Sequence, residues 1–322
     1  MSVNPHQSIG TPRPIPSSNL PVRQARPPAS QKVPTLPHQG VRLSQEAREP
    51  ATASTQKLQL NLFGDTAIPK SLALSARAQD MSVNTYKVLK QLYPDLNAEE
   101  ALLRGMRDLC PDSQQHCQRV GDLAYRLARE LDLTDDELDE LEDELEDSAD
   151  LKEAGVLALT IAAMDDQELE EFLEDAGSAG EFHDIGKLAI PDEILNKPAA
   201  LTEEEYEIVK LHPIVGETML TPLDLPDNIL AAVRGHHEHW DGSGYPDGLT
   251  GEEIPLIARI LSIVDSFDAM TAGRPYRNSL THEEALQEIL DHAGSQFDPF
   301  LAEMFAVVVA RMEQRHPNPE NS

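Results

Sequence analysis

Cysteine and aromatic residues are scarce in this 322-residue sequence. Its two cysteines, Cys110 and Cys117, are too few for a disulfide framework and are typical of a reducing cytosol, where small buried thiols are their simplest use. Aromatic residues make up 4% of the chain, so its core has to be built mainly from Leu, Ile, Val and Ala. Such a core favours a helical domain over a β-sandwich.

Long apolar runs are also missing. No stretch reaches the roughly 20 apolar residues of a membrane span, and no N-terminal run is typical of a signal peptide. A formal net charge of -31 argues against broad binding to a nucleic-acid polymer or an anionic membrane. We therefore expect a cytoplasmic protein that attracts any anionic substrate locally, most simply through bound cations.

The first 80 residues are expected to form a disordered, Pro-rich tail. They carry too little apolar surface to offset the entropy of ordering, although residues 57–63 alternate like a short strand. From residue 81, apolar residues recur at three- and four-residue spacing. This pattern predicts a helical N-terminal extension over 81–111 and a main domain over 112–315. No long strand pattern appears after residue 81, so the predicted fold class is all-α.

Short motifs predict where helices of the main domain begin. Asp112 followed by Gln115 resembles a capping box with Asp112 as the N-cap. Thr202 with Glu205 is a second such box, opening a helix expected to carry Ile208, Val209 and His212. Further helices are expected to begin at or just after Pro226, Pro255, Thr281 and Pro299.

An acidic segment over about 134–178 separates the first helix of the main domain from the rest. Leu138, Leu141 and Leu145 give it a narrow apolar stripe at helical spacing, which predicts a helical hairpin with one solvated face. A partner-docking arm is the alternative. The spacing of its carboxylates does not match an EF-hand loop, which argues against calcium.

Residues able to ligate a metal recur through the main domain. They are His116, His183, Asp184, His212, His236, His237 and Asp265. This mixed nitrogen and oxygen set suits Fe, Mn, Zn or Ni better than Mg or Ca. Taken singly, each has an ordinary interpretation as a packed histidine or a helix-face acid. Taken together they exceed the needs of one ion, which predicts at least two ions bridged by a carboxylate, an arrangement suited to phosphate-ester hydrolysis.

The local sequence around these residues resembles a known family. Residues 182–198, which contain His183-Asp184, resemble the HD motif of the HD phosphohydrolase superfamily. Residues 236–246 add a Gly-Tyr-Pro signature, and residues 265–277 follow in the expected order. Over about 112–305 the chain is similar to HD-GYP domains, helical bundles that hydrolyse the bacterial second messenger cyclic di-GMP.

The resemblance implies a metal-binding role for each matched ligand. His116 and Asp265 match ligands of the first metal, and Asp184 of the HD pair matches the bridge. The second metal would be held by His212, His236 and His237. Asp112 stands where some members carry a Glu that helps to hold a third metal, a role that competes with N-capping. The implied cofactors are two or three divalent ions, with Fe or Mn preferred.

The resemblance also implies how substrate is handled. Asp184 and Lys187 would be the catalytic residues, with Lys187 contacting the scissile phosphate. Further substrate contacts would come from Gly244, Tyr245, Arg274 and Arg277. A metal-bridging hydroxide would attack phosphorus, giving linear pGpG, or GMP after a second cut. The gap between His116 and His183 is longer than the family usually shows, so the acidic segment has to loop out without displacing His116.

Two other functions stay open at this stage. One is a non-hydrolytic sensor or interaction module for cyclic di-GMP, and the other is a phosphohydrolase for another cyclic nucleotide or dinucleotide. Protein partners could dock on the GYP loop, the acidic segment or the Pro-rich tail, and a homodimer is compatible with the sequence.

Overall fold

The computed structural model describes residues 70–132, 161, 163–272 and 279–315, with side chains from residue 76 to 312 of these ranges. The regular elements in these ranges are α-helices and short 3₁₀ helices, which confirms the all-α prediction. None of the helices described is both long and apolar enough to cross a bilayer. The strand predicted over 57–63 lies outside the described residues.

The α-helices follow one another along the chain with short connections. They are α1 (Lys70–Leu92), α2 (Ala98–Leu109), α3 (Pro111–Glu130), α4 (Asp166–Phe182), α5 (Asp192–Leu195), α6 (Glu203–Val209), α7 (His212–Leu220), α8 (Asp227–Gly235), α9 (Leu256–Thr271), α10 (His282–Asp291) and α11 (Pro299–Arg315). The 3₁₀ helices are Ile185–Ala189, Thr221–Leu223 and Gly251–Glu253.

Five helices in the second half of the chain, α6 and α8 to α11, begin where the sequence predicted. The Thr202 hydroxyl accepts a hydrogen bond from the backbone N–H of Glu205, whose carboxylate accepts one from the backbone N–H of Thr202. Thr281 and Glu284 form the same reciprocal pair at the start of α10. Each box satisfies two N–H groups that a helix end leaves unpaired.

The start of α3 differs from the prediction. Cys110 is the N-cap and makes no side-chain capping bond, and Pro111 is the first helical residue. Proline suits this position because it has no N–H to satisfy and its φ angle is already helical. Asp112 therefore lies inside the first turn, exposed to solvent, and its predicted N-cap role was wrong.

A second difference concerns His212, which was expected on the same helix as Ile208 and Val209. The structure ends α6 at Val209 and begins α7 at His212. Pro213 has no N–H to donate to the Val209 carbonyl, so the helix cannot continue through it. The His212 ring takes that place, with Nδ1 2.7 Å from the Val209 oxygen.

The N-terminal boundary also differs. Helix α1 begins at Lys70, so residues 70–80 are helical where the sequence predicted a disordered tail. Ala78 and Met81 are buried, and α1 packs against α7 and the 3₁₀ helix Ile185–Ala189. The partners of α1 on α7 and on this 3₁₀ helix lie far along the chain, so the local sequence gave little sign of this packing.

Helices α3 and α4 cross at unusually close range, and this crossing positions the centre described below. A Cβ atom on Gly180 would lie 2.6 Å from the Cα of Gly121, and one on Gly121 would lie 2.8 Å from the Gly177 carbonyl oxygen. Only glycine permits such an approach. Residues 166–178, predicted as part of a looped-out insertion, thus belong to the core helix α4, while residues 133–160 and 162 lie outside the described residues.

Candidate metal centre

The rings of three histidines at helix ends are oriented by the same type of hydrogen bond. His183 follows the last residue of α4, His212 begins α7, and His236 follows the last residue of α8. In each case Nδ1 lies 2.7–2.8 Å from the carbonyl oxygen three residues earlier. A carbonyl oxygen only accepts, so Nδ1 carries the proton and the Nε2 lone pair is left for a ligand.

His116, His183 and Asp265 form the first group of potential ligands, with ligand atoms all within 4.8 Å of one another. The Nε2 of His116 lies 2.9 Å from Asp265 Oδ1, and the Nε2 of His183 lies 3.9 Å from the same oxygen. The His183 Nε2 is buried and has no hydrogen-bond partner among the described residues. A buried lone pair without a donor is costly, and a metal cation satisfies it.

His212, His236 and His237 form the second group. The Nε2 atoms of His212 and His236 are 3.2 Å apart. Both rings carry their proton on Nδ1, so two lone pairs face each other, which is unfavourable without a positive charge between them. Two nitrogens at this separation can both lie about 2.1 Å from one ion. Helix α8 ends at Gly235, and the turn that follows lets the adjacent His237 face the same point.

Asp184 lies between the two groups, with side-chain exposure of 1%. Its Oδ2 is 3.5 Å from the His183 Nε2 and 3.9 Å from the His116 Nε2, whereas its Oδ1 is 3.4 Å from the His212 Nε2. One oxygen therefore faces each group, which is the arrangement of a bridging carboxylate. The ammonium of Lys187 is 2.5 Å from Oδ2.

The charges in the centre favour metal-binding protonation states. Burial lowers the pKa values of His183 and His236, and burial together with His212 lowers the pKa of His237 to about 3. These imidazoles are therefore neutral at pH 7, the form that binds metal. Burial opposes ionisation of Asp184, but Lys187 and the neighbouring histidines hold its pKa well below the usual range.

His116 differs from the other imidazoles because carboxylates surround it. Burial alone would lower its pKa, but hydrogen bonds to Asp265 and Asp268 raise that pKa to about 9. Burial opposes ionisation of Asp265 as well, and its contact with His116 holds its pKa below the ordinary value. A divalent cation would compete with the proton between His116 and Asp265 for the lone pairs of these two side chains.

Sequence reasoning missed two residues that contact the ligands. Asp268 Oδ2 lies 2.7 Å from the Nδ1 of His116. Cys117, interpreted as an ordinary buried thiol, forms a third close group with His183 and Asp184, although burial raises its pKa well above the usual range. The available signals were the position of Asp268 within a recognised motif and that of Cys117 beside His116.

Gly186 explains why the HD segment can approach α7. A Cβ atom at this position would lie 2.0 Å from the carbonyl oxygen of His212 and 2.7 Å from the backbone nitrogen of Gly216. Both contacts are backbone and cannot move aside. The absence of a side chain at Gly186 therefore lets Asp184 and His212 come within reach of the same ion.

The Gly-Tyr-Pro segment, residues 244–246, packs back onto the adjacent histidines His236 and His237. Glu238 is buried, and its carboxylate accepts hydrogen bonds from the backbone N–H groups of Asp247, Gly248 and Leu249 at 2.6–3.1 Å. A Cβ atom on Gly244 would lie 2.3 Å from the backbone nitrogen of His239. The structure thus gives Gly244 a packing role, and its predicted contact with substrate stays a prediction.

Tyr245 stands at the edge of the centre, with its ring centroid 4.9 Å from that of His237. Its role in substrate binding also stays a prediction. Arg274 and Arg277 lie outside the described residues. Asp112 joins none of the ligand groups found in the described part of the chain, so a third metal there likewise stays a prediction.

Comparison with known proteins gives consistent results. A family model described as HD domain matches residues 106–301. A cyclic di-GMP phosphodiesterase of Thermotoga maritima is 36% identical over 63% of this chain and 46% of its own length. The cyclic di-GMP phosphodiesterase response regulator RpfG of Xanthomonas campestris pv. campestris is 43% identical over 45% of this chain and 39% of its own length.

A further relative carries a different substrate in its name. The 3'3'-cGAMP-specific phosphodiesterase 1 of Vibrio cholerae is 34% identical over 62% of this chain and 38% of its own length. The chain thus spans less than half the length of each of these relatives. The family match covers more than half of the chain and contains the ligands of both groups, which agrees with the HD-GYP resemblance. The chain therefore belongs to the HD domain family.

Proposed function

We propose that this protein is a metal-dependent phosphodiesterase that hydrolyses cyclic di-GMP. The observation that carries the proposal is the placement of Asp184, a buried carboxylate with one oxygen toward each of two ligand groups. Two neighbouring ions suit hydrolysis of a phosphate diester. The names of the Thermotoga and Xanthomonas relatives support cyclic di-GMP as the substrate.

The His and carboxylate donor set suits Fe or Mn. When bound, such ions supply an activated water and neutralise the phosphoryl oxygens. The chain itself contributes Lys187, whose ammonium is 2.5 Å from Asp184. A fixed positive charge beside the bridging carboxylate can stabilise the charge that develops on the phosphoryl oxygens. Tyr245, near His237, would contact the nucleotide together with Gly244, Arg274 and Arg277.

The proposed reaction adds water across one P–O3′ bond of the cyclic dinucleotide. Its nucleophile is a hydroxide derived from the activated water, and the departing 3′ oxygen takes up a proton. The product of this step is linear pGpG with a 5′ phosphate, and a second cut would give GMP.

Cyclic GMP-AMP is the second candidate substrate, because the Vibrio relative specific for it covers nearly as much of this chain as the Thermotoga protein does. A non-hydrolytic sensor is less well supported, since both ligand groups and the bridging carboxylate are intact. Cytoplasmic location, homodimer formation and partner docking remain predictions from the sequence; the Pro-rich tail and much of the acidic segment lie outside the described residues.

The test is turnover by anaerobically purified protein loaded with Fe²⁺ or Mn²⁺. Cyclic di-GMP, 3'3'-cGAMP and linear pGpG would be offered separately, and products separated by chromatography. We expect cyclic di-GMP to have the highest kcat/KM and pGpG to appear first. The double substitution His183→Ala with Asp184→Ala should abolish turnover because it removes the bridge and a ligand of the first group.

The control is Arg126→Gln, which changes an exposed residue of α3 and should leave turnover unchanged. Full activity in the His183/Asp184 double variant would refute the proposed centre. Tight binding of cyclic di-GMP without product by the metal-loaded protein would instead support the sensor. A higher kcat/KM for 3'3'-cGAMP would reassign the substrate.

A further inference from the structure

The ring of His116 is held differently from those of the three histidines at helix ends. His183, His212 and His236 each donate Nδ1–H to a carbonyl three residues earlier. His116 lies near the start of α3, and its Nδ1 instead meets the Oδ2 of Asp268, 152 residues further along the chain. The orientation of this one ligand therefore depends on the contact between α3 and α9.

Asp268 is itself fixed by Arg119. The guanidinium places Nε 2.6 Å from Asp268 Oδ1 and Nη2 2.8 Å from Oδ2. This two-point contact fixes the plane of the carboxylate as a single charge would not. Asp268 is buried, whereas the Arg119 side chain is 46% exposed, so Arg119 closes the pair from the solvent side.

We propose that Arg119 is a positioning residue for the metal centre, acting through Asp268 on His116. With the carboxylate fixed, the His116 ring is held with Nδ1 on Asp268 and Nε2 toward Asp265, where the first ion would bind in place of a proton. Without the guanidinium, Asp268 can rotate, and the His116 ring can adopt the other tautomer or turn away. Partners of this kind commonly change metal affinity by about 10- to 100-fold when they are removed.

The arrangement predicts a selective effect. The second group of His212, His236 and His237 takes its orientation from the carbonyls of Val209 and Val233 and from the turn after α8, none of which involves Arg119. Loss of Arg119 should therefore weaken the ion of the first group and spare that of the second. The inference rests on the metal centre of the proposed function, and its test needs no substrate.

The experiment measures Mn²⁺ binding by chelator competition in the full chain, wild type against Arg119→Gln. We expect the affinity for one ion to fall by about tenfold while that for the other is unchanged. Arg119→Lys keeps the charge but not the two-point contact, and should restore only part of the loss. Arg126→Gln, an exposed arginine on the same helix, is the matched control and should bind as wild type does.

A second readout separates positioning from general destabilisation. Thermal unfolding of the metal-free protein should give nearly the same midpoint for Arg119→Gln as for the wild type, because the lost ion pair is half exposed. Equal weakening of both ions with a lower unfolding temperature of the metal-free protein would overturn the proposal in favour of a structural role. Unchanged metal binding with a raised KM would overturn it in favour of direct substrate contact. Failure of cyclic di-GMP turnover alone would count against the proposed function only.

Discussion

At the scale of single residues, the centre depends on side chains that bind no ion themselves. Glu238 illustrates this, because its buried carboxylate gathers three consecutive backbone N–H groups of the segment after Pro246. Those groups would otherwise be unpaired beside the histidine pair. Glu238 directly follows His237, so the residue that supports this loop is adjacent in the chain to a proposed metal ligand.

The substitution Glu238→Gln tests this support. A glutamine amide offers one accepting oxygen, so at least one of the N–H groups of Asp247, Gly248 and Leu249 would face an NH₂ group. A buried donor left without an acceptor costs about 1–3 kcal/mol, and we expect the free energy of unfolding to fall by about 2 kcal/mol. Denaturant unfolding of the metal-free protein measures this difference.

The matched control is Glu253→Gln, which removes the same charge from an exposed carboxylate that caps Thr250. Its effect should be much smaller than that of Glu238→Gln, because water can replace a hydrogen bond lost at an exposed site. Equal losses in the two variants would show that the charge, and not the three buried hydrogen bonds of Glu238, stabilises the loop.

The sequence could predict the candidate ligands but not the residues that support them. His183-Asp184 and His236-His237 stand in motifs that can be recognised locally. Asp268 and Glu238 are acidic residues like many others in this chain, and their partners become known only when distant segments meet. The contact from Asp268 to His116 spans 152 positions, beyond any periodic pattern.

At the scale of elements, the crossing of α3 with α4 sets the spacing of the first ligand group. His116 lies in the second turn of α3, and His183 directly follows α4. Glycines at the crossing bring the two backbones into contact, with Gly180 against Gly121. The long segment between the helices therefore adds sequence without separating the two ligands.

The substitution Gly180→Ala tests the crossing. Its Cβ atom would lie 2.6 Å from the Cα and 2.7 Å from the nitrogen of Gly121, so the helices must move apart. Overpacking of this kind costs about 1–3 kcal/mol, and the shift should weaken the first metal by at least about tenfold. Denaturant unfolding and Mn²⁺ titration report the two effects separately.

Gly177→Ala is the control on the same helix, because its Cβ atom would meet its nearest neighbour at an ordinary 3.7 Å. It should leave metal affinity unchanged and stabilise the helix by up to about 1 kcal/mol. Weakened metal binding in this variant, or unchanged binding in Gly180→Ala, would show that close approach of the helices does not set the ligand spacing.

Elements were predictable from the sequence where their signals are local. The capping box at Thr202 and the helix start at Thr281 depend on residues three positions apart and appear as predicted. The extent of α1, and the membership of 166–178 in the core, depend on packing against distant helices and were not predicted. The break before His212 does have a local signal, because Pro213 lacks the N–H that would continue helix α6.

At the scale of the whole molecule, the N-terminal helices complete the domain although they begin before the family match at residue 106. A Cβ atom on Gly105 of α2 would lie 2.6 Å from Leu89 of α1 and 3.5 Å from Leu188, beside Lys187. The Tyr86 hydroxyl of α1 also donates to the Met219 carbonyl of α7. The predicted extension over 81–111 is therefore packed against two elements of the metal centre.

The net charge of -31 sets the last prediction, because the proposed substrate is an anion. At roughly 0.01 M salt the Debye length is about 30 Å, so the substrate is repelled by much of the chain before it reaches Lys187. At about 0.1 M that length falls to about 10 Å, which screens the distant negative charges, while Lys187 and the bound ions still attract the substrate at short range. We expect kcat/KM for cyclic di-GMP to rise severalfold between these conditions while kcat stays constant, because salt acts on the encounter.

Steady-state kinetics at constant Mn²⁺ over this salt range measures the effect. A model phosphodiester with a single negative charge serves as the control, since its smaller charge should give a smaller rise. A steady fall of kcat/KM with increasing salt would contradict the prediction. It would show that positive groups near the centre, and not the net negative charge, dominate the approach of the substrate at low salt. The net negative charge of the chain would then have little influence on how fast the substrate reaches the centre.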